Sequence, residues 1–450
     1  MANVIKTRKG LDINLAGKAE RRKAEVPRSL EFGVSPEGFP GLAPKLEVRI
    51  GDMVKVGTPL FSDKLHPEVT FASPVSGMVS DIVRGERRKV IAVKLKADEA
   101  QDFIDFGRKD VSKLSDADVK KALLGAGLFG YVNQLPYAVV ANPEEEPKAI
   151  FVSALRDMPL AGDFEYELQG QEDDFQAGLT ALSKVAKTYL GIGPGQKSAA
   201  LVSAKDVEVN IFDGPCPAGN PGVQANHISP VNKGETVWTV DPSAVIFFGR
   251  LFNTGMVNLT RTVAIAGSEV REPLYVDAMV GTPLTTLLDG NIGDRCTVRI
   301  IQGNPLTGAK ASVHDYLWGH TSEITAIPEG DDADELLGWA MPRLSQLSTS
   351  RSYFSWLLGK GRKYSPDARI KGGERKMIMS GEYDRVLPMD ILGEYLIKAI
   401  IAGDVERMEQ LGIYEVSPED FAVAEFVDSS KLELQRIVRQ GLDMLRKENS

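Results

Sequence analysis

Two short stretches constrain the fold of this chain more than any other part of it: Gly51-Asp52-Met53-Val54-Lys55-Val56-Gly57-Thr58-Pro59-Leu60 and Ala72-Ser73-Pro74-Val75-Ser76-Gly77-Met78-Val79. Each sets glycine turns among alternating apolar residues, Val54, Val56 and Leu60 in the first and Val75 and Val79 in the second. That is the pattern of short strands joined by tight turns. A further alternation, Val90-Ile91-Ala92-Val93-Lys94-Leu95, closes the region. Residues 1–100 therefore predict a lead segment followed by a small all-β unit, with Lys64 lying between its two halves.

The paired halves resemble the barrel-sandwich hybrid fold of biotinyl and lipoyl carrier domains, in which a lysine at a hairpin tip holds a swinging cofactor. Only Phe61, Ser62 and Asp63 separate Leu60 from Lys64, and Pro67 follows closely. A proline there interrupts regular ladder pairing, and the arm is short for a stiff hairpin. The expectation is a carrier-like fold with Lys64 as a solvated lysine. The alternative is a lipoyl- or biotinyl-type carrier modified at Lys64.

At 450 residues the chain has room for about three domains. With 43% hydrophobic and 26% charged residues it is ordinary globular material. A net charge of -9 argues against a nucleic-acid partner, because the phosphate backbone rewards a basic surface. The two cysteines, Cys216 and Cys296, form no C-x-x-C and cannot supply a zinc or iron-sulfur site alone. The start, Met1-Ala2-Asn3-Val4-Ile5-Lys6, carries no uninterrupted apolar stretch, so no signal peptide is expected. No run approaches the roughly 20 apolar residues of a membrane span.

Beyond the first region the pattern is α/β mixed and multidomain. In residues 101–255, Ser115 caps a helix over Asp116 to Leu124 that stops at Gly125 and Gly127. Apolar runs, Ala149 to Ala154 and Ala199-Ala200-Leu201-Val202, then alternate with helix-like stretches such as Phe175 to Leu190. This alternation predicts βαβ units in a three-layer α/β domain. Residues 256–328 return to strands (Thr262 to Gly267, Leu274 to Val276, Thr297 to Ile301) around a short helix after Gly281, which predicts a β-grasp module. Residues 329–450 are helical: Asp390 to Ala402 ends at Gly403, Ser417-Pro418-Glu419-Asp420 starts a helix, and Ser430-Lys431-Leu432-Glu433 is a capping box. Leu434, Ile437, Val438, Leu442 and Leu445 fall on one helical face.

Several constellations have the right residue types for chemistry. Gly191-Ile192-Gly193-Pro194-Gly195-Gln196-Lys197 is glycine-rich, but Pro194 removes a donor and a strand is expected to follow, so it is read as a structural turn rather than a phosphate cradle. The loop Gly214 to Gly222, leading to Asn226-His227, holds the one close cysteine and histidine; a nucleophile pair would need exposure and contact, and a rigid loop is expected instead. His314 and His320 flank Asp315, and a structural pair is expected there rather than a metal site. No carboxylate pairing marks acid–base catalysis, so no catalytic residue is assigned.

A different segment points to a surface function. Arg351-Ser352-Tyr353-Phe354-Ser355-Trp356-Leu357-Leu358-Gly359-Lys360-Gly361-Arg362-Lys363 sets aromatics among basic residues, and from Arg351 to Lys376 eight basic residues face two acidic ones. An apolar anchor beside Lys and Arg suits a membrane protein's cytoplasmic face or anionic headgroups. Arg351, Tyr353, Phe354, Trp356, Leu357, Leu358, Lys360, Arg362 and Lys363 are the expected docking residues.

The order of parts, with Gly303-Asn304-Pro305-Leu306-Thr307-Gly308 behind a β-grasp, resembles the A subunits of the bacterial sodium-translocating NADH:quinone reductase (Na+-NQR). The stretches Ile5 to Asp12, Val69 to Gly77, Arg84 to Arg88 and Pro217 to Asn220 are similar to that family too. The resemblance implies an SLBB-like β-grasp module and an α/β domain like a flavin- or nucleotide-binding one without its ligands. It implies a peripheral subunit on the cytoplasmic side of the bacterial inner membrane, in a six-subunit translocase that oxidises NADH, reduces ubiquinone and exports sodium. Its partners are the other five subunits, chiefly an integral membrane subunit, with ubiquinone nearby. The complex uses FAD, FMN, riboflavin and iron-sulfur centres, and none is expected in this subunit. Family members often carry histidine where Cys216 stands, which speaks against an essential thiolate. A related electron-transport complex subunit is the other relative, but it is expected to carry four-cysteine cluster motifs.

Overall fold

The computed structural model describes residues 2–293, 297–331, 341–359 and 361–449. Cys296 and Lys360, both singled out above, lie outside the described residues.

The first glycine-rich region folds into two facing sheets. One pairs Met53–Val54, Gly77–Arg84, Val90–Ala97 and Glu31–Val34; the other pairs Pro44–Leu46, Pro59–Asp63 and Thr70–Ala72. Val54, Leu60, Phe61, Phe71, Val79, Val93 and Leu95 fill the space between them. Gly77 is required where it stands: its φ is +151°, and a Cβ there would lie 2.0 Å from the Lys96 carbonyl oxygen.

The α/β region is built on seven strands in the order Asn3–Lys6, Glu208–Asp213, Thr188–Ile192, Ile150–Ser153, Val237–Val240, Val132–Leu135 and Val139–Val140. The first five run parallel and the last two close the edge antiparallel. Strand side chains alternate between faces. Ile150, Val152, Leu190 and Trp238 meet the helices Glu172–Val185 and Pro242–Thr254, while Phe151, Tyr189 and Val237 meet Pro221–Ile228. The two long helices nearly touch, since a Cβ on Gly249 would lie 1.7 Å from the Asp174 carbonyl oxygen.

Six strands form the β-grasp sheet, with Thr260–Ala266 and Glu323–Pro328 as its parallel centre. The helix Leu284–Leu287 packs on it through Leu284 and Leu287. The N-terminal lead is shared out: Asn3–Lys6 extends the α/β sheet and Lys23–Ala24 extends the β-grasp sheet. In the C-terminal region the helices Gly393–Ala402, Ala422–Val427 and Leu434–Glu448 share a core. Leu434, Val438, Leu442 and Leu445 are fully buried there and Ile437 partly so.

Three local readings of the sequence need correction. The helix expected over Phe175 to Leu190 ends at Val185, because Thr188–Ile192 has the apolar, sheet-favouring composition that the centre of the sheet needs. Ala199–Val202 is a helical turn, not a strand, and four apolar residues carry too little periodicity to separate the two. The capping box at Ser430 does not form: the Asp428 carboxylate accepts from the backbone of Ser430 (3.0 Å) and Leu432 (2.8 Å), and the helix starts later, at Leu434. The Ser430 hydroxyl instead accepts from the Ile378 amide at 3.2 Å.

Where the domains meet, charges are buried and paired. Arg156 donates to both oxygens of Glu167 at 2.8 and 2.7 Å and lies 3.3 Å from Asp241. Arg261, on the β-grasp sheet, lies 3.5 Å from Asp241 and donates to the Gly319 carbonyl at 2.5 Å. Burial alone would raise the Asp241 carboxyl, but Arg156 and Arg261 hold it below the ordinary carboxylate value. Beside them the rings of Phe39 of the barrel, Tyr131 of the α/β region and His320 of the β-grasp meet edge-to-face or tilted, with centroids 5.2–5.3 Å apart.

Replacing Arg156 with Met leaves Glu167 buried and uncompensated, and urea unfolding is expected to report a loss of about 3–5 kcal/mol. Adding Glu167→Leu should recover most of that loss. Equal losses in the single and double variants would show that the two residues do not act as a pair.

Candidate functional site

The expected docking segment is a turn of 3₁₀ helix, Phe354–Leu358, that turns its apolar side chains outward. Phe354 is 56% exposed, Trp356 47%, Leu357 63% and Leu358 48%, whereas Ser355 between them is fully buried. Fully burying such side chains is worth roughly 1.5–3 kcal/mol each, so the patch holds several kcal/mol of unrealised burial. Contiguous exposure of this kind marks interaction surfaces.

The patch is held in place by its flanks. The Phe354 amide donates to the Pro342 carbonyl at 3.0 Å, which brings the chain carrying the exposed Met341 and Leu344 alongside. Tyr364 is buried among Ile13, Leu15, Leu160 and Ala266, and its backbone exchanges hydrogen bonds with Asn14 and Ala16 of the N-terminal lead. Cations are interleaved with the rings: the Arg351 guanidinium lies 5.4 Å from the Trp356 ring and that of Arg362 5.9 Å from Tyr364. Tyr353 is half-buried, while Arg351, Arg362 and Lys363 are exposed. Met341, Leu344 and the exposed Ile370 were missed in the sequence, because single apolar residues in a polar loop show no periodicity.

The other candidate residues serve different ends. Lys64 is exposed at the start of a turn between Pro59–Asp63 and Thr70–Ala72, its amide bonded to the Ala43 carbonyl at 2.9 Å. In the glycine-rich loop after Thr188–Ile192, the amides of Lys197 and Ser198 both donate to Glu165 Oε1 at 2.5 Å. Donors that would face a phosphate are thus taken by the chain's own carboxylate. His314 is exposed while His320 is packed between Phe39 and Tyr131, so the two do not converge. Burial pushes His320 down to about 4, and its Nε2 has no hydrogen-bond partner among the described residues. Among the same residues, no group of three or more His, Cys, Asp or Glu is placed to hold a metal ion.

The loop at Gly214 to His227 is a joint between domains. Cys216 is fully buried, with its sulfur 3.6 Å from that of Met158, and burial raises its thiol far from the reactive range. His227 bonds the Pro388 carbonyl at 2.8 Å rather than Cys216. Asn220 donates to Asp420 at 3.2 Å, and Asn226 donates to Glu415 at 2.6 Å, so the helix Pro221–Ile228 seats the C-terminal region on the α/β sheet. Asp157 fixes the near side by accepting from the Gly219 amide at 2.8 Å.

Known proteins match this architecture in the same order. Residues 5–98 match a family model described as the NqrA N-terminal barrel-sandwich hybrid domain, 114–257 the NqrA second alpha/beta domain, and 262–313 the NQRA C-terminal domain. The A subunit of the Na(+)-translocating NADH-quinone reductase from Neisseria meningitidis is 35% identical, over 99% of this chain and 100% of its own length. This chain belongs to that family of A subunits. Members from Haemophilus influenzae and Yersinia pestis are 34% and 33% identical over the same shares. The family assignment confirms the resemblance read from the sequence, and the barrel-sandwich and SLBB parts with it.

Burial pushes the Asp157 carboxyl up to about 6 from its ordinary 3.8. The folded protein therefore binds a proton in that window that the unfolded chain has released, and the associated stability is lost as pH rises toward 6. Asp157→Asn keeps an acceptor for Gly219 and is expected to raise neutral-pH stability by about 1–3 kcal/mol. Thermal unfolding at pH values on either side of the window measures this, and an unchanged pH dependence in the variant would contradict it.

Proposed function

We propose that this chain is the peripheral, cytoplasmic-side subunit of a membrane complex that oxidises NADH, reduces ubiquinone and moves sodium ions out of the cell. In this reading it carries no cofactor or catalytic residue of its own and works as a docking scaffold beside the quinone-reducing membrane part. The observation that carries the proposal is the outward-facing Phe354–Leu358 turn with its flanking Arg351, Arg362 and Lys363. Three kinds of support converge on it. The curated relatives are named as subunits of a sodium-translocating NADH-quinone reductase. No helix among the described residues is long and apolar enough to cross a membrane, so attachment through a helical span of its own has no support here. The apolar turn lies in the stretch where the sign of charge reverses against a net charge of -9.

The partners follow from the same reading: the five other subunits, chiefly an integral membrane one whose cytoplasmic face receives the turn. Flavins and iron-sulfur centres belong to those partners. An exposed apolar turn edged with cations suits such a face, because its centre gains from losing water while its rim stays polar.

Trp356→Ser combined with Leu357→Ser is expected to reduce retention of the chain on partner-containing membranes by about tenfold or more, as loss of a central aromatic anchor does. Circular dichroism and the thermal midpoint should stay unchanged, because both side chains are already exposed. Undiminished co-purification of this variant with the complex would refute the docking role. An absorption band above the protein range in the isolated chain would refute its cofactor-free status.

A further inference from the structure

A groove of about 760 Å³ opens beside the Phe354–Leu358 turn. Its walls come from Ser352 and Tyr353 just before the turn, from Arg362, Lys363 and Tyr364 just after it, and from Lys431 of the C-terminal region. We propose that this groove binds the phosphate-bearing headgroup of an anionic phospholipid. The proposal rests on the docking reading above and deepens it, naming lipid as part of what the turn meets.

The charges in the groove are unevenly matched. Five cations line it, Arg362, Lys363, Arg369, Lys371 and Lys431, against the carboxylates Asp367, Glu425 and Glu433. Each carboxylate is already engaged: Asp367 by Arg369 at 2.7 Å and Lys371 at 2.8 Å, Glu433 by Arg436 at 2.6 Å, and Glu425 by the Gln435 amide at 2.8 Å. The remaining cations have no carboxylate partner among the described residues. Arg362 lies over the Tyr364 ring, Lys431 donates to the Asp428 carbonyl at 2.8 Å, and Lys363 makes no hydrogen bond or ion pair among those residues. Uncommitted positive charge in a concave site, with the hydroxyls of Ser350 and Ser352 at the rim, is the chemistry that holds a phosphate.

The position of the groove selects a lipid over a free anion. Its lining includes residues that precede and follow the exposed turn, and also Leu347, Phe426, Leu432 and the exposed Ile370, so a phosphate seated there has apolar side chains in the same groove to meet its acyl chains. Apolar anchor and cationic pocket on one short segment form the two-part contact of proteins that sit at a membrane interface.

Co-sedimentation of the full chain with phosphatidylcholine vesicles, with and without phosphatidylglycerol, tests the assignment. Binding is expected to be about tenfold stronger with phosphatidylglycerol and to weaken as salt rises. Arg362→Gln with Lys363→Gln is expected to lower it by roughly fivefold per charge removed, while the thermal midpoint stays constant. Equal binding to both vesicle types, or undiminished binding by the double variant, would overturn the lipid site. So would occupation by inorganic phosphate, read as a rise in the thermal midpoint, in a chain that ignores vesicles. Each of these outcomes leaves the docking reading intact if the Trp356 and Leu357 variant still loses its complex. If that variant keeps its complex, the docking reading fails whatever the vesicles show.

Discussion

The pairing of Arg156 with Glu167 and Asp241 is the constraint on which the rest of the molecule depends. Charges taken out of water are tolerated only when each meets its counterpart in good geometry. Arg156 comes from the loop after a strand of the α/β sheet, Glu167 from the helix Phe164–Glu167, and Asp241 from the cap of Pro242–Thr254. Arg261 reaches the same acid from the β-grasp sheet. Three acidic side chains, Glu167, Asp241 and Glu323, surround Arg156 and raise its already high affinity for a proton. Arg261 thus carries a charged contact from the β-grasp sheet into a network whose other members, Arg156, Glu167 and Asp241, belong to the α/β region.

The surface patch is tied to the rest of the molecule through Tyr364. Tyr364 anchors the patch against the N-terminal lead, and the lead is pinned at both ends by the α/β and β-grasp sheets. The C-terminal helices sit on Pro221–Ile228 through Asn220 and Asn226. A loop dense in proline and glycine, expected from its sequence to be rigid, serves as mortar between two bodies. With Tyr364 buried on one side and the Phe354 amide bonded to the Pro342 carbonyl on the other, the Phe354–Leu358 turn keeps its rings outward.

What could be read from the residues follows from how physical signals are written along a chain. Alternation in Val90 to Leu95, the capping serine at Ser115 and the single face of Leu434, Val438, Leu442 and Leu445 are local, and each appears in the structure as expected. The aromatic and basic segment was visible because its members are neighbours in sequence. The charge network was not, since Arg156, Asp241 and Arg261 are ordinary residues until the fold gathers them. The groove was hidden for the same reason, its walls being drawn from Pro305 through Glu433. Misreadings such as Ala199–Val202 arose where a run was too short to express a period.

Glu165 illustrates how a glycine-rich loop can be held in shape by the chain's own carboxylate. Its carboxylate sits on the paired amides of Lys197 and Ser198, at the point where strand gives way to helix. A dinucleotide arriving from solution would have to evict a tethered competitor whose effective concentration is on the order of millimolar or higher. The donors of the loop are in this sense occupied by its own polypeptide. One acidic side chain within reach is enough to hold the shape of the turn.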